Sequence, residues 1–431
     1  MRCSLVLSLG LLSAACNPYD FQNTLKQAPV QVIDMAPVRS LAALTPPAEQ
    51  PKIASRLLLS SGSSRSLAVA DFDRDGNATV THASGEDLAN LGDSGPILSM
   101  ARLSSGAVLL GMPKYGLQER AGQVALLTLS NEEAKPAFHL GTTKEGTDHY
   151  GLAVAAGRIT GGEEEVAVLS DSSVSVLSPA TLIGPLTTCA GSLQTPTDFF
   201  RSMVVADLLG GGYDEVAVGF PVLGGRGQVR LISYGIDPTK PAAGAAELYC
   251  SMRIDTPNGG PGFGASLATA DFDGDGLQDL AVGAPPDRVF IYLGPLTGGL
   301  PDAELAMDRT TNFGARVAAV NLDGGGTSQL LVSAITAPVG GTTSAGQALL
   351  YRLSGSKSVG LTTQLLGQVQ DSSPTGSGYF GIAATDMPFR DTTCTKGALD
   401  TRVLVAASDS GVFAFFRFMD GFADPRCFAR Q

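Results

Sequence analysis

An all-β propeller of seven four-stranded antiparallel blades is the architecture this sequence predicts, on three observations. The chain carries 53 glycines and 25 prolines among 431 residues, so its elements are short and joined by tight turns. Outside the N-terminus no stretch keeps a long helical apolar period. A unit of two apolar runs around an acidic or glycine-rich turn recurs along the chain, and a period near 50 residues marks an array or ring of like modules. One such unit cannot bury both faces of its sheet, so the copies must pack on one another, and radial packing closes a ring. Hydrophobic residues make up 44% and charged residues 16%, enough for a sizeable core.

The N-terminus, MRCSLVLSLGLLSAAC, has one cation at Arg2, an apolar segment from Leu5 to Leu12, and small residues Ser13, Ala14 and Ala15 before Cys16. It reads as an export signal, too short to span a membrane. It resembles a bacterial lipoprotein signal, which implies removal of residues 1–15 and lipidation of Cys16 as the first mature residue. Ser13 departs from the leucine usual there; simple cleavage after Ala15, leaving a soluble exported protein, is the alternative. Residues 16–52, rich in proline, read as a tether, and residues 53–431 as the propeller. An alternative for Val30–Ile33 is a strand that joins the last blade and latches the ring. The expected location is outside the cell, lipid-anchored at a bacterial outer membrane or surface.

Without Cys3 and Cys16 the exported chain keeps Cys189, Cys250, Cys394 and Cys427. Four cysteines in an exported protein point to two disulfides with three possible connectivities. Pairing the nearest in sequence gives Cys189 with Cys250 and Cys394 with Cys427.

The fullest repeat runs GFGASLATADFDGDGLQDLAVGAP from Gly262. Its aspartates, Asp271, Asp273, Asp275 and Asp279, alternate in a glycine turn, where like charges repel unless a hard cation sits between them. Position twelve from Asp271 is Val282, not a glutamate, and an apolar run follows, so the loop joins strands and is not an EF-hand. SLAVADFDRDGNATV at 66–80 keeps Asp71, Asp73 and Asp75 but has Thr79 in the ninth place. Weaker copies keep the apolar frame and lose aspartates: they retain Asp207 and Asp214, or Asn321 and Asp323, or, in the turn after Tyr150, no aspartate at all. The core motifs begin near 67, 98, 152, 203, 267, 317 and 382, which makes seven.

Phe263-Gly264, the acidic loop and Gly283-Ala284-Pro285 together resemble the FG-GAP repeat, the blade unit of the integrin alpha-chain propeller. Phe313-Gly314 and Phe380-Gly381 repeat its first half; Gly219-Phe220-Pro221 and Gly111-Met112-Pro113 vary its second. The resemblance implies calcium held by Asp271, Asp273, Asp275, the Leu277 carbonyl and Asp279. By the same positions it implies Asp71, Asp73, Asp75 and the Asn77 carbonyl in the earlier copy, with little or no calcium expected at Asn321.

A net charge of −12 without clustered Lys and Arg argues against nucleic acid as a partner. Three histidines, His82, His139 and His149, and no Gly-x-Ser-x-Gly or His-Glu-x-x-His motif offer little for catalysis. Glu163-Glu164-Glu165 reads as a solvated turn, and His149-Tyr150 as packing and hydrogen-bonding groups. The expectation is therefore a calcium-stabilised binding, adhesion or scaffold module and not an enzyme. Its expected partner is a protein or glycan ligand, it is a monomer, and it meets the membrane only through lipid. The alternative is a hydrolase or lyase working at the central channel.

Overall fold

The computed structural model describes residues 30–33, 38–61, 66–91, 95–114, 122–130, 136–146, 148–171, 173–177, 182–186, 202–221, 226–239, 246–258, 260, 262–322, 325–371, 374, 378–389, 401–409 and 411–415. Residues 1–15, where an export signal is expected, and Cys16, Cys189, Cys394 and Cys427 lie outside them.

Seven four-stranded antiparallel sheets make up the fold. β1 (Val30–Ile33) comes first in the chain. Blade I holds β2 (Val38–Leu44), β3 (Ser55–Ser61), β4 (Leu67–Phe72) and β5 (Ala78–His82). Blade II holds β6 (Ser99–Arg102), β7 (Val108–Pro113), β8 (Gly122–Ser130) and β9 (Ala137–Gly146). Blade III holds β10 (Ala153–Gly157), β11 (Glu165–Leu169), β12 (Val174–Leu177) and β13 (Leu182–Leu186). Blade IV holds β14 (Met203–Ala206), β15 (Glu215–Phe220), β16 (Gln228–Gly235) and β17 (Glu247–Asp255). Blade V holds β18 (Ser266–Ala270), β19 (Asp279–Ala284), β20 (Arg288–Tyr292) and β21 (Ala303–Ala306). Blade VI holds β22 (Phe313–Val320), β23 (Gln329–Ala334), β24 (Gln347–Ser356) and β25 (Gly360–Val369). Blade VII holds β26 (Ala383–Phe389), β27 (Thr401–Ser408) and β28 (Gly411–Phe415), and takes β1 as its fourth strand.

That last pairing closes the ring. Val30 to Ile33 lie antiparallel to Phe415 to Val412, so the N-terminal strand completes the C-terminal blade. The latch, and not a free tether, is what residues 30–33 form, and blade I already begins at Val38. The boundary drawn at residue 53 is thus corrected. Pro46, Pro47 and Pro51, which gave the segment its linker character, sit in the connection between β2 and β3, where missing N–H groups cost no ladder bond.

Every blade interface carries one apolar cluster. Leu57 and Leu59 face blade VII while Leu58, between them, faces blade II. Leu280 and Val282 face blade IV, and Ala281 faces blade VI. A strand shows successive side chains to opposite faces, so sheets covered on both sides read as continuous apolar runs.

The Phe-Gly and Gly-Ala-Pro halves meet across these interfaces. Phe263 is fully buried with the apolar residues of blade IV, its ring 5.6 Å from Phe290 and 6.4 Å from Tyr292. Gly264 follows at φ +91°, and its carbonyl lies over Gly219 of blade IV so closely that a Cβ there would stand 1.9 Å from the oxygen. The same seating recurs between Gly314 and Gly283, and between Gly151 and Gly111. Backbone bonds fasten it: Gly262 N–H donates to Pro221 O at 2.7 Å and Phe313 N–H to Pro286 O at 2.8 Å.

Gly283→Ala places a methyl against Gly314 O and Ser266 Oγ, so it is expected to lower stability by about 1–3 kcal/mol, the usual range for overpacking. A denaturant midpoint equal to that of the parent protein would contradict this seating.

Candidate metal centre

In an antiparallel blade the loop after the first strand and the loop after the third leave at the same end. With the first strands innermost, all these loops share one face of the ring. The blade V acidic loop lies there, between β18 and β19. Gly274 and Gly276, at φ +91° and +86°, give the backbone the left-handed turns that bring alternate aspartates round to one side.

Asp271, Asp273 and Asp275 each offer an oxygen within 4.8 Å of the others, the one such acid group among the described residues. Asp271 accepts Gly274 N–H at 2.6 Å and Gly276 N–H at 2.9 Å; Asp275 accepts Leu277 N–H at 2.8 Å. Asp273 Oδ1 accepts Asp275 N–H at 3.1 Å, whereas its Oδ2 is buried with no hydrogen-bond partner. Burial, together with the charges of Asp275 and Asp271, pushes the Asp273 carboxyl above its ordinary value. An orphaned carboxylate oxygen facing two like charges is a frustrated arrangement that a divalent, oxygen-seeking cation relieves, and the donor set suits calcium.

Asp279 stands apart from this group. It is fully buried, accepts Phe272 N–H and Gly294 N–H at 2.8 Å each, and is pushed up to about 7 by burial, against the effect of those two donors. Its place, the first residue of a second strand, is filled elsewhere by buried Glu165, Glu215 and Gln329. Each accepts a backbone N–H from the turn it closes: Thr160 at 2.7 Å, Leu208 at 3.0 Å and Leu322 at 2.8 Å. These four brackets were missed by the sequence reading, although a polar residue directly before each apolar run marks them. Glu165 is accordingly not a solvated turn residue, and Glu164 bonds across to Ser104 N–H of blade II at 2.7 Å. Leu277 is exposed at the loop tip.

The Asp71 loop differs in place and in electrostatics. It joins β4 to β5, the third and fourth strands of blade I, so the motif near residue 67 is two strands out of frame with the others. Asp71 lies opposite buried Arg56 in the ladder and pairs with it at 2.5 and 2.8 Å. Asp73 accepts Asn77 Nδ2 at 2.9 Å, Asn77 N–H at 2.8 Å and Asp75 N–H at 2.9 Å. Despite some burial cost, these donors hold it below the ordinary carboxylate range. The Asn77 carbonyl accepts Asp73 N–H at 3.0 Å. The structure therefore does not gather Asp71, Asp73, Asp75 and Asn77 as a ligand set. Arg56 balances the charge of Asp71, and donors within the turn satisfy Asp73.

Tyr150 is buried at the blade III counterpart of Phe263, and His149 bonds Asp171 at 2.5 Å, as packing and hydrogen-bonding groups.

Residues 263–292 match the FG-GAP repeat. That is the blade V unit with its acidic loop. Among curated proteins the chain is similar to phosphatidylinositol-glycan-specific phospholipase D of Rattus norvegicus, 33% identical over 159 residues, 32% of this chain and 19% of that protein. The Mus musculus and Homo sapiens forms are 32% and 29% identical over 155 and 160 residues, each 32% of this chain and 18% and 19% of theirs. The chain thus spans about a fifth of the length of these relatives. A solved structure of BBS1N in complex with ARL6DN aligns with 90% of this chain and 94% of that one at 12% identity, with a TM-score of 0.49.

Two outcomes follow from these geometries. Asp279 has a raised folded pKa, so in chelator its contribution to stability is full below the unfolded value near pH 4 and is lost as pH rises to about 7. Asp279→Asn is expected to flatten that fall; an unchanged pH profile of the urea midpoint contradicts the bracket. Arg56→Met leaves Asp71 without its partner and is expected to cost about 3 kcal/mol or more by denaturant unfolding.

Proposed function

We propose that this protein is an exported, calcium-stabilised propeller that acts as a binding, adhesion or scaffold module, with one calcium site at Asp271, Asp273 and Asp275. The observation that carries the reading is the orphaned, buried Oδ2 of Asp273 between two further carboxylates, in a repeat that matches FG-GAP. Bound there, calcium would offset two of the three carboxylate charges; the repeat also implies the Leu277 carbonyl and Asp279, of which Asp279 is engaged by the Phe272 and Gly294 N–H groups. The ring itself supplies the module: seven apolar interfaces fix the frame, and the loops on its two faces are free to vary without disturbing it.

In this reading the chain is lipid-anchored through Cys16 at a bacterial outer membrane or cell surface, is a monomer, and meets a protein or glycan ligand, not nucleic acid. The anchor rests on the export-like N-terminus. The disulfides Cys189–Cys250 and Cys394–Cys427 belong to the same reading; the bonded state of Cys250 supports a disulfide at that cysteine. A second reading, a hydrolase with its site at the channel, is favoured by the similarity to phosphatidylinositol-glycan-specific phospholipase D. Release of a glycosylphosphatidylinositol-anchored protein from vesicles by the purified chain would establish it.

Calorimetric titration with calcium is expected to show one site. Saturation at a hundredfold excess over Kd is expected to add about 2.7 kcal/mol of stability. Asp273→Ala is expected to remove the site and Asp73→Ala to leave it intact. Loss of binding in both variants, or no binding by the parent protein, contradicts the assignment.

A further inference from the structure

Large apolar side chains that stay exposed in this fold are not scattered. Tyr213 follows β14, Ile236 follows β16, Leu277 follows β18, Leu300 follows β20 and Val359 follows β24. All five therefore lie in first-to-second or third-to-fourth connections, on one face of the ring, in the consecutive blades IV, V and VI. Leu300 and Val359 are 83% and 80% exposed, near the limit for a residue that touches nothing. Among the described residues the remaining large exposed apolar side chain, Leu365, lies within outer strand β25.

The loops that carry them touch one another. The Tyr213 ring lies over Gly161 of blade III. Gly210 of blade IV sits against Pro295 of blade V, and Gly294 beside it sits against Leu277. Lys357 of blade VI donates its amine to Pro295 O at 2.7 Å, which brings the Val359 turn to the same place. Four of the tips, Tyr213, Leu277, Leu300 and Val359, thus belong to one contiguous surface, and Ile236 lies on the same face of blade IV.

Charge on that surface is predominantly negative. The described residues of the same connections include Asp207, Asp214, Asp302 and the buried Asp237, besides the three loop acids Asp271, Asp273 and Asp275, against one cation, Lys357, so the face stays net acidic with a divalent ion bound at the loop. A contiguous patch of projecting apolar groups marks an interaction surface, and an acidic field selects the sign of what approaches it.

We propose that this loop face of blades IV to VI docks a basic, amphipathic polypeptide segment, whose apolar residues cover Leu300, Val359 and their neighbours while its Lys and Arg side chains meet the aspartates. The proposal rests on the binding-module reading and names its face and partner class. An anionic lipid surface is repelled by the same acids, which is why a cationic polypeptide is the occupant chosen.

The test uses the mature protein and synthetic helical peptides as probes, one of leucine and lysine and one with glutamate in place of every lysine, read by fluorescence anisotropy. The Leu/Lys peptide is expected to bind, to weaken as salt is raised, and to lose at least tenfold in affinity with L300S combined with V359S. Both side chains are exposed, so the double variant is expected to keep the parent melting temperature, which separates lost contact from lost fold. Equal binding of the two peptides, unchanged affinity in the double variant, or capture of the protein by anionic phospholipid vesicles through Leu300 and Val359 would overturn the proposal. Calcium binding measured on the same samples keeps the two readings apart: peptide failure with calcium stabilisation intact removes the docking surface alone.

Discussion

The close approach of one blade's entry to the second strand of the blade before it, glycine on glycine at three interfaces and Gly381 on Ser333 at a fourth, is the constraint on which the ring depends. Gly264 against Gly219, Gly314 against Gly283 and Gly151 against Gly111 let the entry to one blade lie directly on the second strand of the blade before it. No side chain fits between them, and the left-handed φ at the later glycine turns the chain from the crossing into the innermost strand. The neighbouring Phe263, Phe313 and Phe380, each fully buried, then fill the apolar cluster beside the contact. Blade orientation and core packing are thus set at one place, and the loops can differ without changing the ring.

Blade count was legible in the sequence because this seating has a residue signature. Phe263-Gly264 and Phe313-Gly314, with the Gly219-Phe220-Pro221 and Gly283-Ala284-Pro285 corners they meet, mark where backbone meets backbone, and the apolar runs between them are doubly buried strands. What stayed illegible was the frame of the first blade. The β4–β5 hairpin reads Ala-Asp-Phe-Asp-Arg-Asp-Gly, almost the text of the β18–β19 hairpin, yet it occupies the outer half of its sheet. A turn motif specifies a hairpin, not its distance from the axis. The true inner pair of blade I hid behind prolines, and the same prolines made a tether the first reading of Val30–Ile33, with the latch onto the last blade its alternative.

The two acidic loops show why like sequence need not mean like chemistry. Arg56 opposite Asp71 is a long-range partner set by strand register, and no reading of the loop alone contains it. Asn77, where blade V has Leu277, supplies the amide that satisfies Asp73. In blade V both compensations are missing, and Asp273 keeps a buried oxygen with no donor. Asp279, meanwhile, is drawn into a bracket shared in form with Glu165, Glu215 and Gln329, a role that follows from fold and not from metal. The charge left uncompensated lies beside the apolar tips of blades IV to VI, so the frustrated loop and the projecting side chains share a face.

Crystals grown in calcium, with anomalous difference maps, test the central claim most directly. The account predicts a single ion in blade V, bound by Asp271, Asp273 and Asp275 at about 2.3–2.6 Å, with Asp71 still paired to Arg56. An ion held by Asp71, Asp73 and Asp75, or no ion at Asp273 in saturating calcium, would contradict it.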